Sequence, residues 1–247
     1  MVVLYSRAVA DAAILHVGRT GSTGRRPIEA REQPMPRRPF VASLVIALIA
    51  ALACPILAAA QEAPAAPLPR VVLETSAGRI VIEVNDVKAP ITGANFLRYV
   101  DEHRFDGATF YRAMKSAPGM GLVQGGTNYD PVRTLPPIAH EPTTQTGLVH
   151  VDGAVSMARH DPGTATGDFF ISIGATPSYD AGRPFSVDPL GYAVFGRVVE
   201  GMEVARAVLV APTSPTEGEG FMRGQFLEPR IVIVSATREV ATEPVAP

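Results

Sequence analysis

The chain is poor in several residue types that would each point to a chemistry. Among 247 residues it has one cysteine, no tryptophan, and two lysines, Lys88 and Lys115. Cys54 lies in an apolar stretch near the N-terminus, so a chain cleaved beyond it has no thiol at all. That excludes disulfides, thiolate metal sites and a cysteine nucleophile together. With two lysines and no basic run, there is no patch to neutralise phosphates, and nucleic acid is not an expected partner. The histidines past the leader, His103, His140, His150 and His160, lack metal-site spacing. No Ser-His-Asp or Gly-rich phosphate signature stands out either, so neither metal nor cofactor is expected. His140-Glu141-Pro142 is the nearest decoy, and loop structure explains it better.

Long apolar runs are scarce too, with one exception. Arg37-Arg38-Pro39-Phe40 precedes residues 41–60, which carry no charge, are rich in Ala, Leu and Ile, and end in Ala58-Ala59-Ala60. A basic start, an apolar centre and small residues at a cleavage point make a secretory signal over residues 35–60. Met35 would be a natural start, leaving residues 1–34 untranslated. Two other readings stay open, an uncleaved membrane anchor and lipidation at Cys54, whose upstream Ala51-Leu52-Ala53 only partly fits a lipoprotein box. The Arg37-Arg38 pair also resembles a twin-arginine export signal. Each reading sends the domain out of the cytoplasm, and a periplasmic location is expected. Contact with a membrane is expected only through an uncleaved or lipidated leader. Residues 1–60 hold seven arginines against three acids, a balance of +4; the whole chain is −2, so the remainder carries −6.

Beyond the leader, the Ala/Pro-rich residues 61–69 read as a flexible spacer. Two alternating apolar runs, 70–75 and 79–84, flank Ser76-Ala77-Gly78 and predict a hairpin. Pro90 opens a helix on which Ile91, Ala94, Leu97 and Val100 recur at three-residue spacing, with Gly107 as its terminator. Further strands are predicted at 109–114, 122–125, 154–157, 169–173, 193–198 and 230–237, and a second helix at 203–210. Many short strands with two helices predict a mostly β domain, closed rather than βαβ.

Five short words fall in order along this pattern: Phe110-Tyr111-Arg112, Gln124-Gly125-Gly126, Ser156-Met157-Ala158-Arg159, Phe169-Phe170-Ile171 and Val194-Phe195-Gly196. Each alone is weak. Together, over residues 70–237, they resemble the cyclophilin family of peptidyl-prolyl cis–trans isomerases. The resemblance implies a closed eight-stranded antiparallel barrel capped by two α-helices, spanning 70–238, with 239–247 as a disordered tail. It implies a cofactor-free isomerase and chaperone that turns X–Pro bonds in extended or unfolded polypeptides, assists the folding of exported proteins, and acts as a monomer. The alternative on the same fold is a non-catalytic module that binds proline peptides without turning them.

The same resemblance assigns residues. Arg112 matches the catalytic arginine and Gln124 the glutamine that holds it. Taken alone, Arg112 would read as a surface arginine on a strand and Gln124 as a turn residue. Tyr111 stands where members carry an aromatic or imidazole beside that arginine, in contact with substrate, while Leu122 matches an apolar proline-pocket residue and Phe170 the pocket's aromatic floor. Phe169 should face the barrel interior, since neighbouring strand residues point to opposite faces. Ala158 and Arg159 match positions whose main chain receives the peptide, and Tyr179 and Tyr192 fall near the remaining wall. The departures are Met120-Gly121, where an aromatic usually stands, which implies a looser pocket side at Met120, and Asp168 in place of a glutamine. Asp168 is expected to pair with Arg112, either aiming the guanidinium or restraining it. Ser178 stands near the tryptophan that meets cyclosporin in many eukaryotic members, so weak binding of that drug is expected.

Overall fold

The computed structural model describes residues 66–239. The expectations for the leader, for Cys54, for most of the 61–69 spacer and for the tail beyond 239 lie outside them. Eight strands form: β1 (Arg70–Thr75), β2 (Gly78–Val84), β3 (Thr109–Ala117), β4 (Met120–Gly126), β5 (Ala154–Met157), β6 (Phe169–Ile173), β7 (Val194–Glu200) and β8 (Phe226–Arg238). All pair antiparallel in the order β1-β2-β7-β5-β6-β4-β3-β8, and β8 returns to β1. Closure leaves no sheet edge. The expected barrel is the observed one.

Alternation fills its interior. Val71 and Leu73, then Ile80, Ile82 and Val84, point inward at period two and are fully buried. Phe110, Val123, Val155, Phe169, Ile171 and Phe195 come in from the other strands. Helix α1 (Pro90–Asp101) packs against β7 and β8. Its Phe96 meets Phe195 at 4.8 Å, Phe105 at 5.3 Å and Phe169 edge-on at 5.4 Å between ring centroids. Helix α3 (Met202–Val210) lies against β2, β3, β4 and β6 and buries Ala205, Val208 and Leu209. A single-turn helix, α2 (Thr143–Thr146), was not expected, because four residues carry no readable periodicity. Helix α1 also stops before its predicted end; Glu102 is its C-cap, well short of Gly107. Among the described residues no helix is long and apolar enough to cross a membrane.

Two glycines show how tightly the strands are joined. A Cβ on Gly125 would sit 2.8 Å from Phe110 Cδ1 and 2.9 Å from the Thr109 carbonyl, so the cross-strand approach of β3 and β4 requires glycine. At Gly121 a Cβ would run into the Met114 carbonyl oxygen, which accounts for the glycine in the unusual Met120-Gly121 pair.

Glu141, from the apparent decoy, has a structural task. Helix α1 begins with Pro90, and its N-cap residue Ala89 supplies no side-chain cap. The Glu141 carboxylate, 1 % exposed, fills that role from fifty residues away. It accepts the Ile91 N–H at 3.2 Å, the Thr92 N–H at 2.7 Å and the Thr92 hydroxyl at 2.6 Å. A negative charge also suits the positive end of the helix. Replacing Glu141 with Ala strands these donors and should cost about 2–3 kcal/mol, read as a lower denaturant midpoint. A variant as stable as the wild type would refute this account of the cap.

Candidate active site

Outward-facing positions form a single row across five strands. Register pairs Phe226 of β8 with Arg112 of β3, Arg112 with Gln124 of β4, Gln124 with Phe170 of β6, and Phe170 with Ser156 of β5. Directly paired residues share a face, so residues far apart in sequence become neighbours outside the barrel. A second row places Met114 beside Leu122. The register shifts between Phe110 and Arg112 on both sides of β3. This bulge turns Tyr111 to the same side as Arg112, a common device beside functional sites. Phe169 enters the core while Phe170 faces out, opposite faces as alternation requires and in the order that the family resemblance implies.

A cavity of about 650 Å³ opens over this surface. Of the residues singled out from sequence, Tyr111, Arg112, Leu122, Gln124, Ala158, Arg159, Phe170, Tyr179 and Tyr192 line it. Phe170, Leu122 and Ala158 form a small apolar cluster, and Tyr179 and Tyr192 stand edge-on to Phe170 at 5.7 and 5.5 Å. Met120 does not line the cavity; its place against the pocket is taken by Met114, two residues after Arg112 on β3. Met114 could have been found by counting two along the strand.

The guanidinium of Arg112 is held on two sides. Gln124 Oε1 accepts from Nη1 at 2.9 Å. Gln225 Oε1 accepts from both Nε at 2.9 Å and Nη2 at 2.7 Å. Three of its five N–H donors are thereby used, leaving one hydrogen free on each terminal nitrogen. Gln124 in turn donates from Nε2 to the Tyr111 hydroxyl at 2.6 Å. Gln225 was missed in the sequence because it sits in the glycine-rich loop before β8. Phe221, Met222 and Phe226, also missed, line the cavity from that loop and strand. Burial lowers the Arg112 pKa, but a guanidinium remains charged near neutrality.

The expected Asp168–Arg112 pair is not formed; the arginine's partners are the two glutamines. Asp168 is fully buried and lies outside the cavity lining. Its Oδ1 accepts the Asn128 N–H at 2.7 Å, while Oδ2 has no partner. Burial raises its pKa to about 6, against the pull of the Asn128 and Tyr129 N–H groups. Burial, reinforced by the Asp168 charge, likewise pushes the Tyr111 hydroxyl up, keeping it neutral. The segment that follows β4 carries the Asn128 N–H to the Asp168 carboxylate, which is therefore spent on the backbone rather than on the arginine.

Arg159 does more than offer its main chain. Its guanidinium bonds the Asp188 carboxylate at 2.9 Å and the Gly191 and His160 carbonyls, and lies 5.0 Å from the Tyr192 ring centre. It thereby fixes the loop that leads into Tyr192. Behind Phe170 the ring of His150 stacks at 5.8 Å and 8°. His150 Nδ1 meets Asp180 Oδ1 at 2.7 Å and Nε2 meets Ser156 Oγ at 3.1 Å. This Ser-His-Asp chain has the connectivity of a nucleophilic triad, but Ser156 is completely buried. Burial lowers the His150 pKa, opposed by Asp180. A neutral ring donating to Asp180 and accepting from Ser156 is a fully bonded brace for the aromatic floor. Among the described residues no group of three His, Cys, Asp or Glu could hold a metal ion.

An arginine held in fixed orientation beside an aromatic-floored apolar pocket, on the outside of a closed antiparallel barrel, defines a class: barrel proteins that take an extended peptide and act on an X–Pro bond. The family described as cyclophilin type peptidyl-prolyl cis–trans isomerase/CLD matches residues 70–237, and the chain belongs to it. Its activity is cis–trans isomerisation of peptidyl-prolyl bonds. It is 40% identical over 152 residues to the isomerase cyp18 of Streptomyces antibioticus, covering 59% of this chain and 86% of that protein. Isomerase A of Dickeya dadantii is 39% identical over 138 residues, covering 55% and 68% respectively. In fold it is similar to a Cryptosporidium parvum cyclophilin-type isomerase solved in the presence of the dipeptide Ala-Pro. There the TM-score is 0.55 at 20% identity, covering 69% of this chain and 99% of that one.

Asp168 gives a signed pH dependence. Its pKa rises from an ordinary 3.8 to about 6 on folding. Between about pH 4 and 6 the folded protein therefore keeps a proton that the unfolded chain has released, and stability falls as pH rises through that window. Relative to Asp168→Asn, the wild type should lose up to about 3 kcal/mol between pH 4 and 7, measured by denaturant unfolding at each pH. Parallel curves for the two proteins would show that the carboxyl titrates normally.

Proposed function

We propose that this isomerase is an exported folding catalyst and that Arg112 supplies its catalytic hydrogen bond. Rotating an X–Pro bond means breaking amide resonance, against a barrier of about 18–20 kcal/mol. No bond to carbon is made or broken, so the chemistry calls for neither nucleophile nor metal. In the twisted transition state the imide nitrogen becomes pyramidal and gains a lone pair. A donor that meets this lone pair stabilises the twisted state over the planar one, which is what lowers the barrier. The observation that carries the reading is the two-sided hold on Arg112 beside the Leu122–Phe170 pocket, with one hydrogen free on each terminal nitrogen. Preorganised donors need no reorientation at the moment of reaction. Gln225 is then a positioning residue, acting through Arg112.

Substrates in this reading are extended or unfolded polypeptides containing X–Pro, bound by a monomer without nucleic acid. Support for export comes from the basic, apolar and small-residue order of residues 35–60. Slow proline isomerisation limits the maturation of many proteins, and an exported isomerase would relieve it outside the cytoplasm.

The catalytic part is tested by relaxation of an X–Pro peptide with the purified protein. Arg112→Ala should lower the rate about 10²–10³-fold, as loss of a well-placed electrostatic donor does. Gln225→Met, which keeps the length and removes the oxygen, should lower it about tenfold or more. In the Arg112→Ala background it should cost nothing further. An additional loss there would mean that Gln225 acts on the loop and not through the arginine. A full rate in Arg112→Ala would remove the arginine from catalysis. Export is tested by fractionating cells and sequencing the mature N-terminus, expected at Gln61; recovery from the cytoplasm with the leader intact would overturn it.

A further inference from the structure

We propose that the loop before β8 forms a second subsite, on the opposite side of Arg112 from the proline pocket, that takes an apolar or aromatic side chain adjacent to the X–Pro pair. This rests on the X–Pro reading of the neighbouring pocket. The strand order fixes the two sides. Ala158, Phe170 and Leu122 belong to β5, β6 and β4 and their ends, all on one flank of β3. Phe226 belongs to β8 on the other flank and pairs directly with Arg112. Phe221 and Met222, just upstream of it, line the same continuous cavity. A peptide whose proline sits over Phe170 and whose chain runs along the row must pass Arg112 and meet this surface.

Phe221 is hard to explain otherwise. It is 79 % exposed, more than any other phenylalanine described, yet it is not left to a slack loop. A 3₁₀ turn at Gly220–Met222 presents it, and the Met222 N–H closes that turn on the Glu219 carbonyl at 3.0 Å. The Gly224 N–H bonds the Glu217 carbonyl at 3.0 Å. Gln225 then ties the loop to the site: its Nε2 donates to the Phe221 carbonyl at 2.6 Å while its Oε1 holds Arg112. The result sets the Phe221 ring centre 5.8 Å from the guanidinium carbon. On the other side, Phe226 lies near Tyr111 at 6.3 Å and under Arg230 at 5.2 Å.

The chemistry of the occupant follows from these walls. Two aromatic rings and a methionine, a side chain that adapts to varied shapes, offer apolar surface and ring faces. The charged groups bordering them, Arg112 and Arg230, are each already placed against an aromatic ring. An apolar or aromatic side chain buries surface there and covers the exposed ring, whereas glycine or serine leaves it wet. The cavity, about 650 Å³, has room for more than a proline ring.

The test is a peptide series with a constant Ala–Pro core and Phe, Leu, Ser or Gly placed either directly before the core or directly after it. Affinities are measured by calorimetric titration, and exchange rates by magnetisation transfer, for wild type, Phe221→Ala and Arg112→Ala. The wild type should prefer Phe or Leu over Gly at one of the two flanking positions. Phe221→Ala should reduce that preference about tenfold, the low end of what an apolar contact contributes to discrimination. A wild type indifferent to the flanking residue overturns the subsite, and so does a preference that survives in Phe221→Ala. Arg112→Ala reports on the neighbouring reading separately. A full exchange rate there would refute the catalytic arginine while leaving the Phe-over-Gly affinity ratio to decide the subsite.

Discussion

Closure of the barrel governs everything outside it. Eight antiparallel strands fill the barrel interior with inward Val, Ile, Leu and Phe, and the binding surface is assembled from the outward half of the strands. Antiparallel register then sets which outward residues meet. Phe226, Arg112, Gln124, Phe170 and Ser156 fall into one row because their strands pair in that register, and a one-residue slip would send each of them inward. The bulge at Tyr111 is a local break in that register. It adds the tyrosine to the arginine's side without moving Phe110 from the core.

Around that row, buried polar groups are matched almost one for one. Glu141 supplies the cap that Ala89 cannot. His150 joins Asp180 to Ser156 and supports Phe170 from behind. Gln124 and Gln225 take up three donors of Arg112 between them. Unmatched buried groups are costly, and two are left among the described residues: Arg159 Nε, and Asp168 Oδ2, which belongs to the group whose pKa rises to about 6. Glutamine amides suit the arginine better than a carboxylate would. They fix its plane without cancelling its charge, so the guanidinium keeps its field for the bond being turned.

Much of this could be read in the chain before it was folded. Period-two alternation marked the strands, and with Phe170 matched to the pocket by the family resemblance it turned Phe169 inward. The five words located Arg112, Gln124 and Phe170, and the scarcity of Cys and Lys removed whole classes of chemistry. Strand ends were less legible. β8 was expected from residue 230 and begins at Phe226, because Gly-rich residues 218–224 hide the apolar alternation that restarts after them. Asp168 was placed next to Arg112 on the strength of its neighbours in sequence, yet the turn after β4 puts the Asn128 N–H on its carboxylate instead.

Residue type and spacing, then, determined the barrel, the family and the arginine, since these depend on local alternation and short ordered words. The second glutamine, the Glu141 cap, the histidine brace and the Phe221 wall were decided only by the tertiary structure. Each joins residues whose separation along the chain carries no signal: Gln225 lies 113 positions from Arg112, and Glu141 49 positions from Thr92. Loop path and strand register bring such pairs together, and those are properties of the closed barrel as a whole rather than of any segment within it.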